Sequence, residues 1–264
     1  MFICPVCGLK LNKSGNKYIC DKNHSYDLAR QGYVNLLPVS GKKSKFPGDN
    51  EVMSVARREF LNGGYYSPLK DKILQILSQN EIKTVVDSGC SEGYYTKAMA
   101  QTVENVYAFD ISKTAVKIAS AEDKKSNYFV ASAFRIPIKD GSADCVTKIF
   151  APDSPNEFAR ILNKNGKIIE VIPAEKHLLE LKQKLYETVY LNKIERAVKE
   201  GFELEKEQIL EYKFIPDPIS RQNLFKMTPY YYKTNPEKRN SLLKEEKFPI
   251  TAEFIIREYK KIEK

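Results

Sequence analysis

At 264 residues the chain can hold one large domain and one small one. Hydrophobic residues make up 42% and charged residues 29%, close to the globular average, and no stretch approaches the ~20 apolar residues of a membrane span. The 43 basic against 34 acidic side chains leave a net charge of +9, which draws polyanions without saying which. The amino terminus has no apolar signal-peptide core, so a cytoplasmic location is expected. In that compartment paired cysteines read as metal ligands or catalytic thiols rather than disulfides.

The chain opens with "FICPVCGLKLNKSGNKYICDKNHSYD". Cys4, Cys7, Cys20 and His24 follow the spacing C-x2-C-x12-C-x3-H, which is the four-ligand, closed arrangement of structural zinc. Too few apolar residues lie here to build a core, so a metal would have to supply the stability. Residues 30–50 mix Gly, Pro and Asn with Lys42, Lys43 and Lys45 and read as an irregular connector. "EVMSVARREFLNGGYYSPLKDKILQIL" has helical spacing broken at Gly63–Gly64, which predicts two helices with a tight joint.

From residue 83 the pattern changes to alternating strands and helices. "KTVVDSG", "VYAFD", "NYFVAS", "ADCVTKIF" and "KIIEVIPA" read as strands. "GYYTKAMAQ", "SKTAVKIASAE" with Ser112 as N-cap, and "PNEFARILNKNG" stopped by Gly166 read as helices. The alternation predicts a parallel, doubly wound α/β sheet. Two more strand-like runs, "KEQILEYKF" and "AEFIIREY", are separated by a polar, Tyr-rich stretch over 216–250.

In such a sheet, ligands bind beyond the carboxyl ends of the strands. The turn "VVDSGCSEGYY" lies there, with Asp87 closing the first strand, Gly89 and Gly93 framing the turn, and Asp110 closing the second strand 23 residues later. Glycines let the backbone approach a ligand, and an acidic strand end can accept hydrogen bonds from both ribose hydroxyls of an adenosine. The turn lacks the full G-x-G-x-x-G of dinucleotide binders. It fits the D-x-G-x-x-x-G of S-adenosylmethionine-dependent methyltransferases, with Ser91 where many such turns have glycine. Cys90 and Cys145 have no partners in the sequence and read as small core residues. His177, near the end of the fifth strand, is placed either as a ligand contact or as a structural histidine.

"CPVC…C…H", "GYVNLLPV", "PGD", "ARREFL", "D.GC.EGYYT", "FAP…EFARIL" and "HLLELK", in that order, resemble the bacterial 23S ribosomal RNA guanine-N1 methyltransferases over nearly the whole chain. The resemblance implies a Rossmann-like class I S-adenosylmethionine-dependent methyltransferase fold with a small N-terminal zinc-binding module. It divides the chain into a zinc-binding RNA-recognition module (1–36), a connector with helices (37–80) and the methyltransferase domain (81–264). It implies Zn2+ on Cys4, Cys7, Cys20 and His24, and S-adenosylmethionine contacts from Tyr66, Ser91, Glu92 and His177. It also implies a homodimer and 23S rRNA as partner, with no membrane. Drug resistance is an association of that family and follows from no residue here.

Guanine N1 is on the Watson–Crick edge, so the base must be unpaired or flipped out. Tyr94, Tyr95 and Phe150 are candidates to stack on it, with Phe158 more at home in the core. Asp153, in "FAPDS" after the fourth strand, is the candidate acceptor of the N1 proton. Lys42, Lys43 and Lys45 are expected on RNA phosphates. A small-molecule methyltransferase, or a zinc-dependent RNA-binding protein without catalysis, is the alternative reading.

Overall fold

The computed structural model describes residues 1–38, 50–239 and 247–262. The first 27 residues form a three-stranded antiparallel sheet of short strands, β1 (Asn12–Ser14), β2 (Lys17–Ile19) and β3 (Ser25–Asp27). It is followed by β4 (Val34–Asn35), α1 (Glu51–Asn62) and α2 (Ser67–Gln79). Asn50 caps α1, its side chain accepting a hydrogen bond from Met53 N at 2.9 Å. Pro68 opens α2, where its missing N–H costs nothing. The joint between these helices falls at the two glycines, as predicted.

The alternating region gives β5 (Thr84–Ser88), α3 (Tyr94–Met99), β6 (Asn105–Asp110), α4 (Lys113–Glu122), β7 (Asn127–Val130), β8 (Ala143–Ile149), α5 (Pro155–Ile161) and β9 (Leu162–Pro173). Ser112 does cap α4, accepting from Ala115 N. The chain continues with α6 (Leu179–Leu185), β10 (Phe202–Phe214), α7 (Pro218–Lys226), α8 (Tyr230–Lys233) and β11 (Ile250–Lys261). These strands build one eight-stranded sheet in the order β10-β11-β9-β8-β5-β6-β7-β4.

The sheet departs from the sequence reading in three places. It is mixed: β11 runs antiparallel to both β9 and β10, although α7 and α8 lie between β10 and β11. The helix predicted to run to Gly166 ends at Ile161. Leu162 already pairs with Ala143, and the register slips before Lys167 pairs with Cys145, so Gly166 lies in the strand entry. Finally, the connector contributes β4, whose two residues pair in parallel with Phe129 and Val130.

Apolar side chains fill both faces of the sheet. On one, Val85, Ile149, Val171, Phe254 and Ile256 pack with α1, α2, α3 and α6. On the other, Val86, Val146 and Ile168 pack with Phe158 and Ile161 of α5. The small metal-ligand module is anchored on this second face. Phe2 is buried among the rings of Tyr18, Tyr107 and Phe129, at centroid distances of 5.3, 5.4 and 5.1 Å, and Ile3 N donates to Pro137 O at 3.0 Å. Arg135 Nη2 donates to Pro5 O at 2.7 Å.

Candidate active site and metal centre

The four predicted metal ligands converge. Their donor atoms all lie within 4.8 Å of one another. Cys7 and Cys20 sulfurs are 3.6 Å apart, and His24 Nδ1 is 3.5 Å from Cys4 Sγ and 3.4 Å from Cys20 Sγ. Tetrahedral zinc, with bonds of ~2.3 Å to sulfur and ~2.0 Å to nitrogen, separates its ligands by about 3.5–3.8 Å. The donor set therefore fits that ion, whereas a disulfide would hold two sulfurs at ~2.05 Å. Tyr26 Oη lies 3.2 Å from Cys4 Sγ. Burial opposes ionisation of Cys4, but the Tyr26 hydroxyl and the amides of Cys7 and Val6 outweigh it and bring the thiol down to about 6. A thiolate so supported is the form that binds metal.

At the carboxyl edge of the sheet, Asp87 ends β5 with its carboxylate turned into the protein. It accepts from Thr96 Oγ1 at 2.5 Å and Thr147 Oγ1 at 2.8 Å. Burial raises it to about 6 despite those hydroxyls. Gly89 and Gly93 have φ of +77° and +84°, and what comes close to them is protein. A Cβ on Gly89 would fall 2.5 Å from the Ala151 Cβ, and one on Gly93 would fall 2.8 Å from the Ala119 Cβ. The glycines thus let the β8 tail and α4 pack against the turn. The sequence reading had them admitting a ligand.

Ser91 also has positive φ, +48°, so a serine here adopts the conformation that glycine would take more cheaply. Its N–H donates to Asp110 Oδ2 at 3.1 Å, and its hydroxyl accepts from Arg57 Nη1 at 2.8 Å. Asp110 Oδ1 accepts from Ser112 N at 2.8 Å. The acidic end of β6 therefore closes the turn. Glu92 is buried, and its Oε2 has no hydrogen-bond partner among the described residues. Burial raises its carboxyl, an effect the nearby Arg57 charge partly counters.

Tyr66 and His177 meet although 111 residues separate them, Tyr66 Oη lying 3.3 Å from His177 Nε2. His177 Nδ1 accepts from Glu253 N at 3.3 Å. That assigns the tautomer with the proton on Nε2, which donates to Tyr66. Burial, with help from the Lys182 charge, lowers His177 to about 3, so the ring is neutral. Phe150 stacks over it at 6.4 Å and Phe254 packs beside it at 4.8 Å. Phe150 has φ of +54° and is 44% exposed. Backbone strain of that kind in a bulky residue collects at functional sites.

Asp153 is held by charge. Lys199 Nζ donates to its Oδ2, Lys148 Nζ is 3.9 Å away, and Ser154 N donates to its Oδ1. Behind it runs a row across four strands, Lys148, Glu170 and Arg257 buried and Glu207 exposed at the outer strand, each in register with the next. Lys148 and Lys199 overcome the burial of Glu170 and bring it down to about 2. Sequence reasoning missed this row. Its signal was there, charges inside each of three apolar strands, "VTKIF", "IIEVI" and "IIREY". Lys199 carried no such signal.

Phe158 is fully buried, as expected, and burial pushes the Cys90 and Cys145 thiols up. Tyr94 and Tyr95 pack edge to face at 5.0 Å, and the Tyr95 hydroxyl is buried without a hydrogen-bond partner among the described residues. Lys42, Lys43 and Lys45 lie outside the described residues.

Residues 2–45 match the family model described as "RlmA, N-terminal", a zinc ribbon, and residues 86–169 match one described as "Methyltransferase domain". A protein of Bacillus subtilis, provisionally named a 23S rRNA (guanine-N1)-methyltransferase, is 33% identical over 264 residues, covering 94% of this chain and 92% of its own. The chain belongs to the 23S rRNA (guanine-N1)-methyltransferase family. Another member, the 23S rRNA (guanine(748)-N1)-methyltransferase of Streptomyces fradiae, is 32% identical over 185 residues, or 67% of this chain and 65% of that one. Among solved structures, a chain from the complex of the Haloferax volcanii Trm112 methyltransferase activator and its methyltransferase superposes with a TM-score of 0.51 at 16% identity. It covers 82% of this chain and all of that one, which shows the class I methyltransferase fold alone. As in its family, the protein is an S-adenosylmethionine-dependent methyltransferase with a zinc ribbon. No helix among the described residues is long and apolar enough to cross a membrane.

Proposed function

We propose that this chain transfers a methyl group from S-adenosylmethionine to N1 of a guanine in a 23S rRNA hairpin, in the cytoplasm. The carrying observation is the 33% identity along nearly the full chain to a relative of that name. The crevice at the ends of β5 and β6 supports it. Two buried polar atoms there, Glu92 Oε2 and Tyr95 Oη, lack hydrogen-bond partners among the described residues, as expected of a site shaped for a polar ligand. The residues that would hold the cofactor are Tyr66, Ser91, Glu92, Asp110 and His177, while Asp87, Gly89 and Gly93 shape the turn around it. When bound, the cofactor supplies an electrophilic methyl group on a sulfonium.

The protein's part is alignment and exclusion of water. A neutral His177 suits this role, because an imidazolium beside a sulfonium would repel it. The half-exposed Phe150 offers its ring to an extruded guanine at the β8 tail. Asp153 is the proposed proton acceptor. An N1 already bonded to the incoming methyl group releases its proton readily, so a carboxylate at this place suffices as acceptor. Asp153→Asn should slow single-turnover methylation at least tenfold, and an unchanged rate would remove the role.

The zinc ribbon and the Lys42, Lys43, Lys45 segment are proposed to grip RNA phosphates. Replacing the three lysines by alanine should flatten the salt dependence of RNA binding. Pairing of two copies belongs to the same reading. It is supported by β10, a long outer strand with Ile209 65% exposed, and sedimentation velocity tests it. Primer extension on 23S rRNA tests the function as a whole. A methyl on N1 blocks reverse transcriptase, so RNA from a deletion strain should lose one stop that plasmid-borne enzyme restores. If the stops are identical with and without the protein, the assignment is wrong.

A further inference from the structure

The buried charges behind the β8 tail do not balance among themselves. Glu170 faces three cations, Lys148 Nζ at 2.6 Å, Lys199 Nζ at 3.0 Å and Arg257 Nη1 at 3.5 Å, and the Tyr259 hydroxyl donates to it at 3.3 Å. One carboxylate cannot neutralise three cations. The two charges left over are met by carboxylates at the two ends of the group. Glu207, on the outer strand, accepts from Arg257 Nε at 2.7 Å, and Asp153, at the crevice end, accepts from Lys199 Nζ. Apolar residues of similar volume often hold a core as well as buried ion pairs do, so stability alone is a weak reason for this group.

Lys199 links the interior to the site. Its side chain is only 4% exposed, and its ammonium lies 5.1 Å from the centre of the Tyr259 ring. It comes from the connection between α6 and β10, which is tied to the same group a second time where Glu195 O accepts from Arg257 Nη2 at 3.0 Å. Asp153 belongs to the segment that abuts the cofactor turn, with Ala151 against Gly89 and Phe150 stacked over His177. A lone carboxylate on such a tail would turn among its rotamers. Here both oxygens are engaged, Oδ2 by Lys199 and Oδ1 by Ser154 N at 3.0 Å.

We propose that Lys199 is the positioning residue for Asp153, using the buried group around Glu170 as a fixed mount to hold the carboxylate where it meets the N1–H of the target guanine. This rests on the reading that Asp153 receives that proton. An ionised carboxylate oxygen accepts two donors, so Oδ1 can take the N1–H while Oδ2 stays on the lysine. The N1–H bond breaks towards Oδ1 and its electron pair stays on the ring, which cancels the positive charge that the methyl group brings from the sulfonium. A misplacement of about 1 Å can cost on the order of 100-fold in rate, so loss of the clamp should be felt in the chemical step and not in cofactor binding.

The test is a double-mutant cycle in single-turnover methylation of 23S rRNA from the deletion strain, with full-length, zinc-loaded protein and saturating S-adenosylmethionine. Lys199→Met should slow the wild-type enzyme at least tenfold, yet slow Asp153→Asn less than twofold, because nothing is left for the lysine to position. Lys199→Arg, which returns a charged donor, should be at least fivefold faster than Lys199→Met. Each protein should bind S-adenosylhomocysteine within threefold of wild type in calorimetry, which marks an intact crevice. Should Lys199→Met fail to fold, Lys199→Gln carries the same cycle. Equal slowing in both backgrounds, a Lys199→Met enzyme at the wild-type rate, an arginine variant no faster than the methionine one, or an affinity loss that matches the rate loss would each overturn the positioning role while leaving Asp153 as acceptor. An Asp153→Asn enzyme at the wild-type rate would remove the acceptor and its positioning residue together.

Discussion

The zinc ribbon and the cofactor turn are both small constellations assembled from a few polar residues, yet they are held together by different means. In the ribbon the strands are three residues long and mostly exposed, so the four ligands are themselves the centre of the module. In the turn the shape comes from the surrounding sheet: Ala151 against Gly89, Ala119 against Gly93, and two threonines on Asp87. One site therefore depends on its ligand to exist, and the other waits preformed. Losing the ligand should cost structure in the first and only occupancy in the second.

Removing zinc puts this contrast under the greatest strain. Structural zinc contributes on the order of 10 kcal/mol to small metal modules. Chelation, or Cys20→Ser, should abolish amide-exchange protection across residues 1–27 while the strands β5, β6 and β8 stay protected. Equal loss in both regions would show that the ribbon is integral to the sheet, and the contrast would fail.

Gly89→Ala attacks the other side with a smaller effect. The new methyl must displace Ala151 and hold a positive φ, so a loss of about 1–3 kcal/mol is expected, read as a lowered melting temperature. Binding of S-adenosylhomocysteine should fall with it, because the turn is shaped by that contact. A variant as stable as wild type would mean the preformed turn is softer than its packing indicates.

The smallest effect concerns His177. Its pKa falls from 6.5 to about 3 on folding, so between those values the unfolded chain binds the extra proton. Stability should therefore decline as pH drops below 6.5. Between pH 7 and 5.5 a His177→Gln variant should show a flatter decline than wild type in urea unfolding. Parallel slopes would mean that His177 is not held neutral by burial.

Much of this arrangement was legible in the sequence because it is local. The ligands of the ribbon announce themselves by spacing, and the strand–helix alternation from Thr84 to Pro173 by apolar runs and caps such as Ser112. Four features were not legible, since they depend on contacts between distant segments. The meeting of Tyr66 with His177 spans 111 residues, and only the resemblance linked them to a common ligand. The antiparallel entry of β11 between β9 and β10 has no local signature. Gly166 looked like a helix stop because a glycine after a polar run usually is one, but Leu162 had already found Ala143. The two-residue β4 is too short for any periodicity.

The way the ribbon is seated bears on substrate choice. Phe2 is locked among three rings, Arg135 clasps Pro5, and β4 extends the sheet beside β7, so the head has three separate moorings and no obvious pivot. Under the proposed function, the span from gripped phosphate to methyl donor is a fixed calliper, and an RNA is accepted when its own loop bridges that span. Selection would then be a matter of length, imposed before any base is inspected.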